Sequence, residues 1–307
     1  MSLYVPKISI IMPTLNSDKY IKTALDSIIK QTFASWELII VDDNSLDNTI
    51  EYVESYNDKR IIIIKNNEKI GISKSRNIGI LNSRGKYICV HDSDDFSDKN
   101  RLLLQYNCFI NYNYKIIGSN GIRIYDGLTD YTDIKEVVTH DDLINKNIVI
   151  HGSLMFEKDV LIEEGLYNPA FKYCEDYELI LRLTKKGYNI KILKEKLYYY
   201  RIHETNISTI KYENLNLYST LVNEVYLYKN INIQDIDIDN NDVYNLLSNK
   251  GKTNYHRKLV EKYRHNRNIR KYITNIKYLL YHNPNNVIKI LGDELLMMLR
   301  YLYNRFV

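Results

Sequence analysis

Three carboxylates close an apolar run at Lys86–Tyr87–Ile88–Cys89–Val90–His91–Asp92–Ser93–Asp94–Asp95–Phe96. Apolar residues at 87–90 predict a short buried strand. Carboxylates cost too much to bury without partners, so they must lie at its exposed end. Open α/β sheets bind ligands at that end of their strands. Aspartates one residue apart, with a third adjoining, can place hard oxygens around a divalent cation, which in turn can neutralise a diphosphate. Taken alone, Asp-x-Asp reads first as a solvated acidic turn. Its weight depends on the polar clusters that share its sheet edge.

The elements upstream supply those clusters. A β-branched run over 7–12 is closed by Pro13, which cannot continue a central strand, and Thr14–Leu15–Asn16 follows. With Ser17 as N-cap, Ile21, Ala24, Leu25, Ile28 and Ile29 recur at helical spacing to about Gln31. A second strand over 38–41 runs directly into Asp42–Asp43–Asn44–Ser45–Leu46–Asp47. A helix with Ile50 and Val53 inward, a third strand over 61–64 and a helix around 78–81 lead to the carboxylate-bearing strand. This alternation predicts an α/β fold of parallel βαβ units with right-handed crossovers. Thr14 and Asn16, Asp42 and Asp43, and Asp92–Asp95 then converge on one edge. Arg76 joins them from the helix after Gly71, and a guanidinium near metal-carrying carboxylates is suited to a phosphate.

Beyond Asp95 the pattern loosens into a helix over 99–110, short strands near 116–118 and 122–125, and a polar loop to about 142. His151–Gly152–Ser153 makes a turn before an apolar strand. Glu175–Asp176 opens a helix with Leu179, Ile180 and Leu183 inward and Gly187 as its stop. Acids in a first turn ordinarily complement the helix dipole. Tyr198–Tyr199–Tyr200–Arg201–Ile202 is an aromatic strand that ends at the solitary His203.

A chain of 307 residues with 45% hydrophobic content has enough apolar material for two domains. Residues 1–210 carry 27 basic and 29 acidic side chains, against 15 and 9 in residues 211–307. Between Lys252 and Lys277 nine basic residues face the single acid Glu261, so the tail is a basic module. It reads as helices over 215–228, 243–247, 259–281 and 287–303, with an acidic linker over 235–242. Packing on the catalytic domain or on another subunit, as in a homo-oligomer, is one use of such helices. The other is a peripheral seat on an anionic membrane face. No nucleic-acid motif accompanies the charge. The apolar clusters are too short for a membrane span and the first fifteen residues lack the form of a signal peptide, so a cytoplasmic protein is expected. Cys89, Cys108 and Cys174 lack paired or metal-type spacing and read as reduced core thiols. A dinucleotide dehydrogenase would want Gly-x-Gly-x-x-Gly where this chain has Pro13–Asn16.

Pro13–Asn16, Val41–Asp47, Arg76–Asn77–x–Gly79, Gly85–Lys86–Tyr87 and Asp92–x–Asp94–Asp95, in this order, resemble the family 2 inverting glycosyltransferases of GT-A fold. The resemblance covers about residues 7–205. It implies a GT-A nucleotide-diphospho-sugar transferase fold, a mostly parallel sheet flanked by helices, in residues 1–210, with 1–115 as the nucleotide-sugar half and 116–210 as the acceptor half. Residues 211–307 would be a C-terminal α-helical extension. The implied donor is a nucleoside-diphosphate sugar, usually a UDP-sugar, used with Mn2+ or Mg2+. The implied acceptor is a saccharide or a lipid-linked sugar in surface polysaccharide or glycoconjugate synthesis. By the same resemblance Thr14 and Asp43 hold the base, Asn16 and Ser93 line the donor site, and Arg76 approaches the diphosphate. Asp92 faces the ribose or joins Asp94 at the metal, Asp95 accompanies them, and His203 reaches the metal or the diphosphate with Arg201 as a second candidate. Asp176 is the implied catalytic base and Glu175 its neighbour. The competing reading is a non-catalytic GT-A domain that keeps nucleotide affinity while its tail serves as an interaction module.

Overall fold

The computed structural model describes residues 5–125, 128–144, 146–204, 206, 211–228, 240–265 and 269–282. Strands β1 (Ile8–Thr14), β2 (Trp36–Asp42), β3 (Ile61–Lys65) and β4 (Tyr87–Val90) alternate with helices α1 (Ile21–Ile29), α2 (Thr49–Glu54) and α3 (Ile72–Leu81). These four strands are parallel, with Ile10 beside both Leu38 and Cys89 and Thr14 beside Asp42. The polar residues that follow β1, β2 and β4 therefore emerge side by side.

Then come β5 (Phe96–Ser97), α4 (Arg101–Asn111), β6 (Ile116–Tyr125), β7 (Leu128–Tyr131), β8 (Val137–Val138), α5 (His140–Leu143), β9 (Met155–Glu157), α6 (Lys158–Glu163), α7 (Glu175–Lys185) and β10 (Ile190–Arg201). Sheet order among the described residues is β3-β2-β1-β4-β9-β6-β10-β5, with β7 on β6 and β8 on β10. Strand β9 is antiparallel to β4 and β6, and β10 runs parallel to β6, so the second half joins the first through one short antiparallel strand.

Both faces of β1 are covered, which is why it is apolar almost throughout. Ile8, Ile10 and Met12 pack with Ile21, Ala24, Leu25 and Ile28 of α1. On the other face α3 comes so close that a Cβ on Gly79 would lie 2.7 Å from Ile11 Cγ2 and 3.3 Å from Val41 Cγ2. Glycine at that place in Arg76–Asn77–x–Gly79 lets the helix reach the sheet.

Several expected boundaries change. Helix α1 begins at Ile21: the Ser17 carbonyl accepts from Tyr20 and Ile21 N–H, while its hydroxyl bonds Ser93 Oγ at 2.8 Å. The strands expected near 116–118 and 122–125 are one strand, because β10 pairs with β6 from Ile116 to Ile124 across two register shifts. The expected loop before 142 holds β7, β8 and α5, the last opened by a capping box between Thr139 and Asp142. The helix expected over 259–281 is two helices. Helix 287–303 lies outside the described residues, as does most of the acidic linker 235–242.

The chain divides near residue 210 into two compact units. The second contains α8 (Tyr212–Tyr228), α9 (Asn240–Leu246), α10 (Asn249–His265) and α11 (Ile269–His282). Leu221, Val222, Val243, Val260 and Leu279 are buried within it, and the Glu224 carboxylate accepts the Ser248 N–H at the start of α10. Among the described residues no helix is long and apolar enough to cross a membrane. All three cysteines are buried, and none is in a disulfide.

Candidate active site

The loops after β1 and β2 are clipped to each other before any ligand is considered. Asn16, at φ 49°, donates its N–H to Ser45 Oγ at 2.9 Å and accepts the Leu46 N–H through Oδ1 at 2.8 Å. Ser45 in turn donates to Asp42 at 2.5 Å, and Ser17 N–H donates to Thr49 Oγ1 at 2.7 Å. Asn16, expected to line the donor site, thus spends its side-chain oxygen on shaping the loop. Asp43 is similarly engaged. One oxygen accepts from Ile70 N (2.8 Å), Asn66 Nδ2 (3.0 Å) and Ser75 Oγ (3.3 Å), and the other from Gly71 N (2.9 Å). Four donors use the capacity of a carboxylate. Asp43 therefore fixes the 66–71 turn beside Thr14, whose carbonyl accepts the Asp43 N–H. Thr14 Oγ1 is buried with no partner among the described residues, the kind of group a bound base can satisfy.

At the end of β4 the three aspartates have different surroundings. Asp92 and Asp94 keep 26% and 29% of their side chains exposed, whereas Asp95 is buried and accepts the Arg201 N–H at 2.7 Å. That bond seats the end of β10 against the acidic turn. Burial first, and neighbouring carboxylates second, push Asp94 and Asp95 above the usual carboxylate range. Ser93 is buried with its hydroxyl on Ser17. His203 donates or accepts through Nε2 at 3.0 Å from Asp94 Oδ2, and its ring stacks on Tyr20 at 4.7 Å. Arg201 also lies over Tyr20, at 4.7 Å.

Among the described residues no three His, Cys, Asp or Glu side chains converge into a closed metal cage. His203 meets the cluster beside Asp94, where the resemblance expects a metal or diphosphate contact. The donor set nonetheless fits Mg2+ or Mn2+. Two partly exposed carboxylates crowd each other's charge, and such ions are held by one or two carboxylates together with substrate phosphates.

Arg76, which the resemblance places near the diphosphate, is held by two carboxylates. Only 4% exposed, it donates through Nη1 to Glu175 Oε1 at 2.7 Å and through Nη2 to Asp92 Oδ1 at 2.9 Å. Burial works against Asp92 ionising, but the guanidinium holds its pKa below the usual range. A buried arginine held by two carboxylates braces the end of β4 against the start of α7.

The two acids that open α7 now separate. Glu175 is buried on Arg76. Asp176 is partly exposed and accepts from its neighbour Tyr177 N–H at 2.7 Å and from Asn147 Nδ2 at 3.4 Å. It lies deep enough that burial, with Glu175 beside it, pushes its pKa up to about 7. A carboxylate titrating there is matched to general-base work near neutrality.

Sequence reasoning missed three supports. Asn147 touches Asp176 from a polar loop without any motif. Arg101 is fully buried and donates to the carbonyls of Val90 (2.9 Å) and Gly152 (2.7 Å), tying the carboxylate strand to the 151–153 turn. Its one signal was a cation in the first turn of a helix, where the dipole disfavours it. Tyr198 carries a hydroxyl that accepts the Asp92 N–H at 3.2 Å, and an added Cβ on Gly152 would sit 2.3 Å from that oxygen.

The model of Glycosyl transferase family 2 matches residues 9–164. The chain belongs to glycosyl transferase family 2. It is a glycosyltransferase of GT-A fold. WfgD of Escherichia coli, a UDP-Glc:alpha-D-GlcNAc-diphosphoundecaprenol beta-1,3-glucosyltransferase, is 32% identical over 222 residues, spanning 68% of this chain and 82% of WfgD. The S. aureus TarS crystal structure in complex with UDP-GlcNAc matches with a TM-score of 0.61 at 20% identity, covering 92% of this chain and 82% of that one. Mannosyltransferase PcManGT from Pyrobaculum calidifontis, in complex with GDP-Man and Mn2+, matches with a TM-score of 0.59 at 14% identity, covering 99% and 84%. The family 2 match spans the loops after β1, β2 and β4 but ends before Glu175 and Asp176.

Proposed function

We propose that this family 2 glycosyltransferase is an inverting, metal-dependent enzyme that moves a sugar from a UDP-sugar to a hydroxyl of a saccharide or lipid-linked acceptor. The observation that carries the reading is the division of labour at the start of α7. Glu175 is neutralised by Arg76, while Asp176 remains partly open beside it and holds its proton near neutrality.

In this reading Asp176 takes the proton of the acceptor hydroxyl as its oxygen attacks the anomeric carbon. The bond from that carbon to the diphosphate oxygen breaks, and the electron pair leaves with the nucleoside diphosphate. One displacement inverts the centre, and one positioned base is the machinery it needs. Asp92 and Asp94 would hold a divalent cation, which supplies charge stabilisation to the departing diphosphate. Thr14 Oγ1 and the turn fixed by Asp43 form the base cradle.

UDP is favoured by the relatives: WfgD is named for UDP-Glc and TarS is seen with UDP-GlcNAc. The fold by itself accepts either nucleotide, since PcManGT is seen with GDP-Man. Residues 1–210 are the catalytic part in this proposal, with the donor half to 115 and the acceptor half beyond it. The basic stretch between Lys252 and Lys277 is suited to an anionic membrane carrying a lipid-linked acceptor, each charge contributing about 1 kcal/mol near such a surface. Co-sedimentation with anionic vesicles at low salt, lost at high salt, is the expected result; its absence would leave subunit packing as the use of these helices. Transfer itself is tested by UDP release and product anomer analysis with UDP-glucose and UDP-N-acetylglucosamine. A product that retains the donor's anomeric configuration would defeat the reading.

A further inference from the structure

We infer that Glu175, held by Arg76, is a positioning residue whose charge controls how readily Asp176 accepts a proton, and that the Asp92–Arg76–Glu175 chain ties this control to the donor side. The inference rests on the reading of Asp176 as the base. Its first support is geometric. Arg76 reaches across 16 residues of sequence to Asp92 and across 99 to Glu175, and each terminal nitrogen serves one carboxylate. A lysine would bring a single ammonium nitrogen in place of the planar fork that here gives each carboxylate its own terminal nitrogen.

The second support is a charge count. Three carboxylates, those of Asp92, Glu175 and Asp176, face one guanidinium. Asp92 and Glu175 hold it by direct ion pairs at 2.9 and 2.7 Å, whereas among the described residues Asp176 accepts from the uncharged donors of Tyr177 and Asn147. The proton that relieves the excess negative charge therefore belongs on Asp176. Asp94 and Asp95 add negative charge on the Asp92 side, and His91 there is pushed down to about 3 by burial. Tyr167, with its ring 5.5 Å from the Arg76 guanidinium, has its phenol pushed far up by burial, and His151, bonded to the Tyr167 hydroxyl at 2.8 Å, is pushed down to about 3 by burial and by Arg76. Glu175 is thus the adjacent charge that holds the proton on its neighbour, and it also anchors the first turn of the helix from which Asp176 projects.

Two substitutions separate charge from position. Glu175→Gln keeps an oxygen for Arg76 but loses the charge, so the ascending limb of kcat/KM against pH should move down by roughly 1 unit. Glu175→Ala should move the limb the same way and also lower the plateau by tenfold or more, because the helix start loses its anchor. An effect on rate or melting temperature with the limb unmoved would overturn the inference. Should the substituted proteins not fold, carboxyl-carbon NMR titration of the wild type decides. Asp176 is expected to titrate near neutrality, and an Asp176 carboxyl that titrates in the ordinary carboxylate range would overturn the inference. Asp176→Asn is run alongside. If it abolishes transfer while Glu175→Gln leaves the limb in place, the bridge alone fails; if it keeps full turnover, the base reading fails and takes the inference with it.

Discussion

Asn77 and Tyr167 exchange two hydrogen bonds across 90 residues: the Asn77 amide donates to the Tyr167 carbonyl at 2.8 Å and accepts the Tyr167 N–H at 3.0 Å. A side-chain amide here replaces a neighbouring strand, satisfying both backbone groups of a buried residue. The bonds hold the segment before α7 against α3, and thereby set where Glu175 and Asp176 begin. Asn77→Ala would leave both groups without a partner and should cost about 2–4 kcal/mol in urea denaturation. Asn77→Asp should be at least as harmful, since it turns a donor into a second acceptor facing a carbonyl.

Asp176→Asn should lower transfer about 10²–10⁴-fold while UDP affinity changes little, because the amide is nearly isosteric but cannot take a proton. Asp94→Asn should differ in kind. It removes charge from the cation site, so donor affinity and rate should fall together. Titration calorimetry with UDP and Mn2+, set beside single-turnover rates, distinguishes the two; equal behaviour of both substitutions would contradict the assigned roles.

The pKa of Asp176, raised from 3.8 to about 7, sets two pH dependences. As a base it must be ionised, so kcat/KM should fall about tenfold per unit below pH 7 and level off above it. For stability the sign is opposite. The folded protein binds this proton more tightly than the unfolded chain, so the contribution is fully present below pH 3.8 and is lost as pH rises through about 7. Asp176→Asn should therefore gain in melting temperature over the wild type at pH 8 more than at pH 5.

UDP should raise the melting temperature more than GDP, CDP or ADP, and only with Mn2+ or Mg2+ present. Ligand at 100 times its dissociation constant adds about 2.7 kcal/mol, well within reach of a thermal-shift measurement. Equal shifts for all four nucleotides, or shifts indifferent to chelator, would argue against a uracil cradle at Thr14 and against the cation site.

The sequence by itself determined the donor half of this protein. Apolar β-branched runs, helical spacing in α1 and the polar residues after each strand are local signals, and right-handed βαβ connection leaves one way to assemble them. Thr14, Asp43 and Asp92–Asp95 share an edge for that reason. The family motifs were legible because each combines a turn or close approach with chemistry, as when Gly79 lets α3 touch β1 while Asn77 and Arg76 project from the same helix.

What only the tertiary structure decided is how each polar side chain spends its bonds. Asn16, Ser93 and Arg76 have residue types suited to binding a nucleotide or phosphate, and the folded chain gives them Leu46, Ser17 and the Asp92–Glu175 pair as partners. The continuous β6, the short β7 and β8, and the buried Arg101 were equally hidden, since each depends on a partner distant in sequence or on burial from both sides. Glu175 and Asp176 are nearly equivalent as letters at a helix start. The fold gives one of them a guanidinium 2.7 Å away and, among the described residues, gives the other uncharged donors, and that difference in electrostatic environment supports the roles proposed for them.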